Sequence, residues 1–191
     1  MKLCLFGGSF DPVHNGHVTM AQEAILRCGL DELHFLPTAE SPFKPDNAFL
    51  FRAEQRLALL RSATAGMAHI RISEDDLRLP PPSWSWRLVE LYRRHYPDAE
   101  LYWLLGTDQW SALHRWARPD YLAEQLHFIV CHRGEPAQPR AGYRSTMIPL
   151  ALPESATELR RCLRQHLPLP EGWMPPATAA LARHFCEELT R

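Results

Sequence analysis

The chain has no excess charge of either sign: 21 Lys and Arg stand against 22 Asp and Glu, for a formal net charge of -1. That balance excludes the broad basic field by which proteins grip nucleic acid or a membrane surface, and leaves room only for a local anion site. The five cysteines (Cys4, Cys28, Cys131, Cys162, Cys186) are odd in number and never spaced CxxC, which argues against a disulfide framework or a zinc knuckle. Their thiols are expected to be reduced. No apolar run reaches the ~18 to 20 residues that cross a bilayer, and no cleavable leader pattern opens the chain. Internal repeats and low-complexity tracts are absent as well. What is left is a soluble, cytoplasmic protein of 191 residues and 46% apolar composition, expected to form one domain over 1–191.

Short apolar runs alternate with amphipathic stretches. LCLF (3–6), LHFLP (33–37), HIRIS (69–73), LYWLLG (101–106) and HFIVCH (127–132) read as strands, with STMIPL (145–150) as a further one. Helices are expected over 18–29, closed by Gly29, over 52–66, and over 85–96, stopped by Pro97. Alternation of this kind implies parallel crossovers, so the fold class is α/β: a Rossmann-like open parallel sheet with helices on both faces. A small C-terminal helical subregion (155–191) follows, its two helices parted by LPLPEGWMPP. Three proline-bearing loops, at 38–49, 78–85 and 134–146, are long enough to suggest function.

Two strings carry chemistry. In GGSFDPVHNGH (7–17), Gly7 and Gly8 follow a strand and precede a helix, a backbone bared so that a ligand can approach closely. This is not the GxGxxG dinucleotide fingerprint, which disfavours a nicotinamide or flavin oxidoreductase. His14 and His17 instead stand near a helix start, where an imidazole can donate to a phosphate oxygen and the helix dipole favours negative charge. In ESATELR (154–160), Ser155 and Glu158 form an S-x-x-E capping box, and Thr157 and Arg160 share a face on which a hydroxyl, a guanidinium and free N–H groups can converge on phosphate. Consecutive Glu74, Asp75 and Asp76 are read as solvated or helix-capping, and Cys162 with His166 makes no zinc site.

Gly8, Phe10, Pro12, His14, Gly16 and His17 match the signature GxFxPxHxGH of the nucleotidyltransferase superfamily, and SATELR matches its late S-A-T-x-x-R motif. From end to end the chain resembles the bacterial nicotinate-nucleotide adenylyltransferases. The resemblance implies adenylyl transfer from ATP to nicotinate mononucleotide, with Mg2+ carried by ATP and no metal held by the protein. It implies His14, His17 and Arg160 as catalytic residues, and Gly7, Gly8, Ser9, Phe10, His14, His17, Gly106, Asp108, Ser155, Thr157 and Arg160 around ATP. Gly106 and Asp108 belong to GTD, which is similar to the family's ribose-holding G-x-D. Lys44, Trp84, Ser85 and Trp116 are implied for the mononucleotide: PSWS (82–85) resembles the family's P-S-Y-T loop, and Trp116 stands where a tryptophan stacks on the pyridine ring. RAEQRLALL (52–60) is similar to its R-x-x-M/L helix.

Departures from the pattern cluster in the acceptor half. Phe43 replaces histidine before Lys44, Trp84 and Ser85 replace tyrosine and threonine, and Arg87 and Leu88 replace Asp-Thr. Nicotinamide mononucleotide or another phosphomonoester is the alternative acceptor. A phosphopantetheine or cytidylyl transferase shares the first motif but not the GTD and tryptophan arrangement. A nucleotide sensor on the same fold would not need every donor that is present. Neither a nucleic acid nor a membrane partner is expected, and a homo-oligomer is left open.

Overall fold

The computed structural model describes residues 1–40, 49–132 and 137–189. Among the described residues six strands form one parallel sheet: β1 (Lys2–Gly8), β2 (Glu32–Pro37), β3 (Ile70–Ile72), β4 (Glu100–Gly106), β5 (His127–His132) and β6 (Arg144–Pro149), in the order β3-β2-β1-β4-β5-β6. The helices are α1 (Asn15–Cys28), α2 (Ala53–Ala63), α3 (Asp75–Arg78), α4 (Ser85–His95), α5 (Thr107–Ser111), α6 (Pro119–Gln125), α7 (Ala156–Arg164) and α8 (Pro176–Leu189). The strand order reverses between β1 and β4. In open sheets, ligands bind in the crevice that such a reversal opens beyond the strand C-termini.

A parallel sheet covered on both faces needs strands that are apolar throughout, and successive side chains sort them between two cores. Cys4 and Phe6 of β1, Tyr102 and Leu104 of β4, and Ile129 of β5 face one core, built with Val18, Ala21 and Ala24 of α1, Leu59 and Leu60 of α2, Leu159 of α7 and Ala182 of α8. Leu3 and Leu5, Leu101 and Trp103, and Phe128 and Val130 face the other, with Leu88, Val89 and Tyr92 of α4 and Leu122 of α6. The expected strands are therefore present with shifts of a residue or two. Helix α1, however, begins three residues before the expected start. Its apolar periodicity starts at Val18, yet His14 takes the extended N-cap conformation at φ -143°, so Asn15, Gly16 and His17 form the first turn. Gly29 closes it in the left-handed conformation at φ 59°.

One surface pair sets an acid-side stability limit. Glu32 accepts from Arg71 Nε at 3.0 Å and Nη2 at 2.9 Å and meets His34 Nε2 at 3.0 Å. The Arg71 hydrogen bonds, then that of His34, draw its carboxyl down to about 2. A depressed acid stabilises the fold above its ordinary value of 4.5 and loses that contribution as pH falls toward 2. Because the pair is solvent-screened, Glu32→Gln is expected to lower Tm by only about 1 to 3 °C at pH 7. Melting curves of variant and parent should converge as pH falls from 4.5 to 2.

Candidate active site

The loop after β1 is held from three sides. Asp11, 3% exposed, accepts from the N–H groups of Leu50 at 2.8 Å and Phe51 at 2.9 Å. The buried Arg56 of α2 donates to the Ser9 carbonyl at 2.8 Å, and Arg160 of α7 donates to the Asp11 carbonyl at 2.7 Å. Phe10 is left-handed at φ 45° and buried, its ring edge-on to Phe6, Phe35 and His17 at 5.1 to 5.3 Å. The two glycines make room for protein rings as well as for any ligand: a Cβ at Gly7 would lie 2.9 Å from the Trp103 ring and one at Gly8 2.9 Å from that of Phe10. Phe10 is packed on several sides, so Gly8→Ala is expected to cost about 1 to 3 kcal/mol. A fall in Tm of several degrees with loss of most activity would register it.

His14 and His17 stack, with ring centroids 3.7 Å apart and an interplanar angle of 28°. The His14 N–H donates to His17 Nδ1 at 3.3 Å, which leaves the proton of a neutral His17 on Nε2. The start of α1 is fixed from the C-terminal region: the Asn15 N–H donates to the Trp173 carbonyl at 2.8 Å, and Asn15 Nδ2 donates to that of Gly172 at 2.6 Å. At the late motif, Ser155 caps α7 by accepting the Glu158 N–H at 3.5 Å. Only this half of the expected capping box forms, because the Glu158 carboxylate accepts from Arg161 Nε at 2.8 Å instead. Arg160 also donates to Thr157 Oγ1 at 3.1 Å, so this pair does share a face.

Two cavities open at the carboxyl ends of the strands. One, of about 420 Å3, is lined by Gly7, Gly8, Ser9, Phe10, Ser85 and Trp116, together with Ser83 and with Asp76, an acid that the sequence pattern leads one to expect solvated or helix-capping. The other, of about 470 Å3, is lined by His14, Asp108 and Ser155, with His132 and Glu154 added. His17, Met20 and Gly106 belong to both walls. Thr157 and Arg160 are in neither wall and reach the first loop through Asp11, while Trp84 is the N-cap of α4 and not a lining residue. Lys44 lies outside the described residues. Trp116 stands edge-on to Trp103 at 5.8 Å, and its buried Nε1 has no hydrogen-bond partner among the described residues. The second cavity also includes Cys131, whose thiol burial pushes up to about 12; it stays neutral and is no nucleophile at physiological pH.

The sequence model of the cytidylyltransferase-like family matches residues 5–149. A probable nicotinate-nucleotide adenylyltransferase of Methylacidiphilum infernorum is 34% identical over 174 residues, covering 88% of this chain and 83% of that protein. The chain belongs to this adenylyltransferase branch of the cytidylyltransferase-like family. Another family member, the probable nicotinate-nucleotide adenylyltransferase of Gloeobacter violaceus, is 39% identical over 140 residues, 73% of this chain and 68% of its own. In fold, the chain is similar to Plasmodium falciparum nicotinic acid mononucleotide adenylyltransferase complexed with NaAD, with a TM-score of 0.79 at 17% identity over 96% of this chain and 95% of that one.

Within this family member, Asp76 corrects the sequence reading most clearly. Expected to be solvated or helix-capping, it is 2% exposed and accepts the Ala39 N–H at 3.0 Å. Burial raises its carboxyl, against the opposing hydrogen bonds of Ser83 and Ala39. It thereby ties the end of β2 to the loop before α4, the two segments that flank the first cavity. The signal available in sequence was weak: three adjacent acids, of which only the third turns inward.

Proposed function

We propose that the protein transfers the adenylyl group of ATP to the 5′-phosphate of nicotinate mononucleotide, giving deamido-NAD and pyrophosphate in NAD biosynthesis. The carrying observation is the pair of cavities that meet at His17 and Gly106, with the stacked histidines at their junction. One nucleotide in each cavity brings two phosphates together at that place. The named activity of the M. infernorum and G. violaceus relatives supports this choice of substrates.

In this reading the acceptor phosphate oxygen attacks the α-phosphorus of ATP in line, and pyrophosphate leaves without a covalent enzyme intermediate. Such chemistry asks the protein for positioning and for donors aimed at developing charge. His17 donates from Nε2 to the α-phosphate, and His14 stands beside it. Arg160, Thr157 and the capped start of α7 at Ser155 neutralise the leaving pyrophosphate. Asp108 and the Gly106 backbone hold the adenosine ribose, and Gly7 to Phe10 border the reacting phosphates. Ser85 and Trp116 take the mononucleotide, the indole of Trp116 offering a face to the pyridine ring, with Trp84 beside them at the start of α4, and Lys44 takes its phosphate. The His14 and His17 imidazoles, with the Ser155 hydroxyl in the wall of the second cavity, are donors suited to phosphate oxygens. Mg2+ would enter on ATP and would supply charge neutralisation at the phosphates. Residues 1–191 act as one domain, in the cytoplasm; among the described residues no helix is long and apolar enough to cross a membrane.

The test is pyrophosphate release from Mg-ATP with nicotinate mononucleotide and nicotinamide mononucleotide in parallel, with His17→Ala as control. Release with the acid form well above that with the amide, lost in the variant, is the expected result. Release with neither would overturn the acceptor. Equal release with both would overturn the preference for the acid form.

A further inference from the structure

Glu154, 8% exposed, stands in the wall of the second cavity with His14 and Ser155. A carboxylate is unexpected there if the cavity takes a triphosphate, since its charge opposes the ligand and its burial is costly unless a cation or donors compensate. Across Gly16 the carboxylate faces His14. A Cβ at that position would meet His14 Nδ1 at 3.0 Å and Glu154 Oε2 at 3.1 Å, so the two atoms flank one point that only a glycine leaves open. This arrangement answers a problem set by the histidine pair. Rings stacked at 3.7 Å cannot readily both carry charge, and the His14 N–H already holds His17 in its neutral, Nδ1-accepting form.

We infer that Glu154 is a positioning residue that holds His14 as the cationic member of the stacked pair, Nδ1–H toward the carboxylate and Nε2–H toward the phosphates. The inference rests on the reading of this cavity as the ATP site. Of the other charged or titratable groups near His14, Arg160 and Asp11 are committed elsewhere, and Asp108 and His132 share its cavity wall. Arg160 is bound to the Asp11 carbonyl and Thr157, and the Asp11 carboxylate accepts from Leu50 and Phe51. Asp108 lies in the first turn of α5, and His132 ends β5. Glu154 thus sets the charge of the pair, and His17 remains the neutral donor.

The test uses Glu154→Gln, which keeps the shape and removes the charge. Nitrogen NMR of the His14 ring, assigned through His14→Asn, should show both ring nitrogens protonated at neutral pH in the parent and the neutral ring in the variant. In steady-state kinetics kcat should fall about tenfold or more, the size typical of losing a group that orients a histidine. KM for Mg-ATP should stay level or fall, because a negative charge has left the phosphate site. A carboxylate favours the charged ring, so its removal lets His14 lose its proton at lower pH, and the alkaline limb of the rate profile should move down. Tm should be unchanged. A merely structural role would give the opposite, lower Tm with an unmoved pH limb. Either an unchanged ring or a kcat within twofold of the parent overturns the inference. If the parent itself releases no pyrophosphate, the assigned reaction falls, and the ring measurement alone decides whether Glu154 charges His14.

Discussion

His17→Ala should lower kcat by about 10²- to 10³-fold while leaving KM for Mg-ATP within a few fold, the pattern of a donor aimed at charge that develops only in the transition state. Three features make His17 the residue of largest effect. It is in the walls of both cavities, so it stands where the two substrates meet. Its tautomer is set by the His14 N–H, so the Nε2 proton is in place before substrate arrives. Its ring is wedged between His14 and Phe10, which leaves it little freedom to lose the aim. Single-turnover rates, with ATP affinity measured separately, separate these contributions. A large rise in KM at constant kcat would instead make His17 a ground-state binding group.

Arg160→Ala is the second large effect, expected at about 10²-fold or more in kcat/KM, with weakened product inhibition by pyrophosphate. The guanidinium does two things at once: it pins the first loop through the Asp11 carbonyl and meets Thr157 Oγ1 on its own helix. Lysine carries the charge but not the fork, so Arg160→Lys should recover only a small part of the loss. Inhibition by added pyrophosphate, titrated in parent and both variants, distinguishes loss of the anion site from simple loosening of the loop. Unaltered inhibition with depressed kcat would assign Arg160 to the loop alone.

The parts of this arrangement that were legible in sequence are those written in adjacent residues. LCLF and LYWLLG are buried on both faces and so read as strands, and GGSFDPVHNGH is contiguous, so its turn and its histidines are visible together. The turn's supports are not contiguous. Arg56 and Arg160 reach it from residues 47 and 149 positions away in sequence, and neither distance leaves a local pattern. Asp76 and Glu154 escaped for a related reason: a buried carboxylate looks like any other acid until the fold shows what surrounds it. The start of α1 was misplaced because periodicity registers apolar residues, while the first turn is made of Asn15, Gly16 and His17.

The tie between Asn15 and the Gly172–Trp173 turn bears on how the protein is made. A nascent chain that has completed β6 possesses every strand of the sheet, yet the carbonyls that fix the first turn of α1 are still to be translated, as is α8, which packs on α2 through the 2.9 Å contact of Ser62 with Thr178. The two histidines thus acquire this anchorage only once residues 172 and 173 have been made. Ribosome-bound fragments stopped before residue 172 would lack that tie, and their histidine junction is expected to be idle.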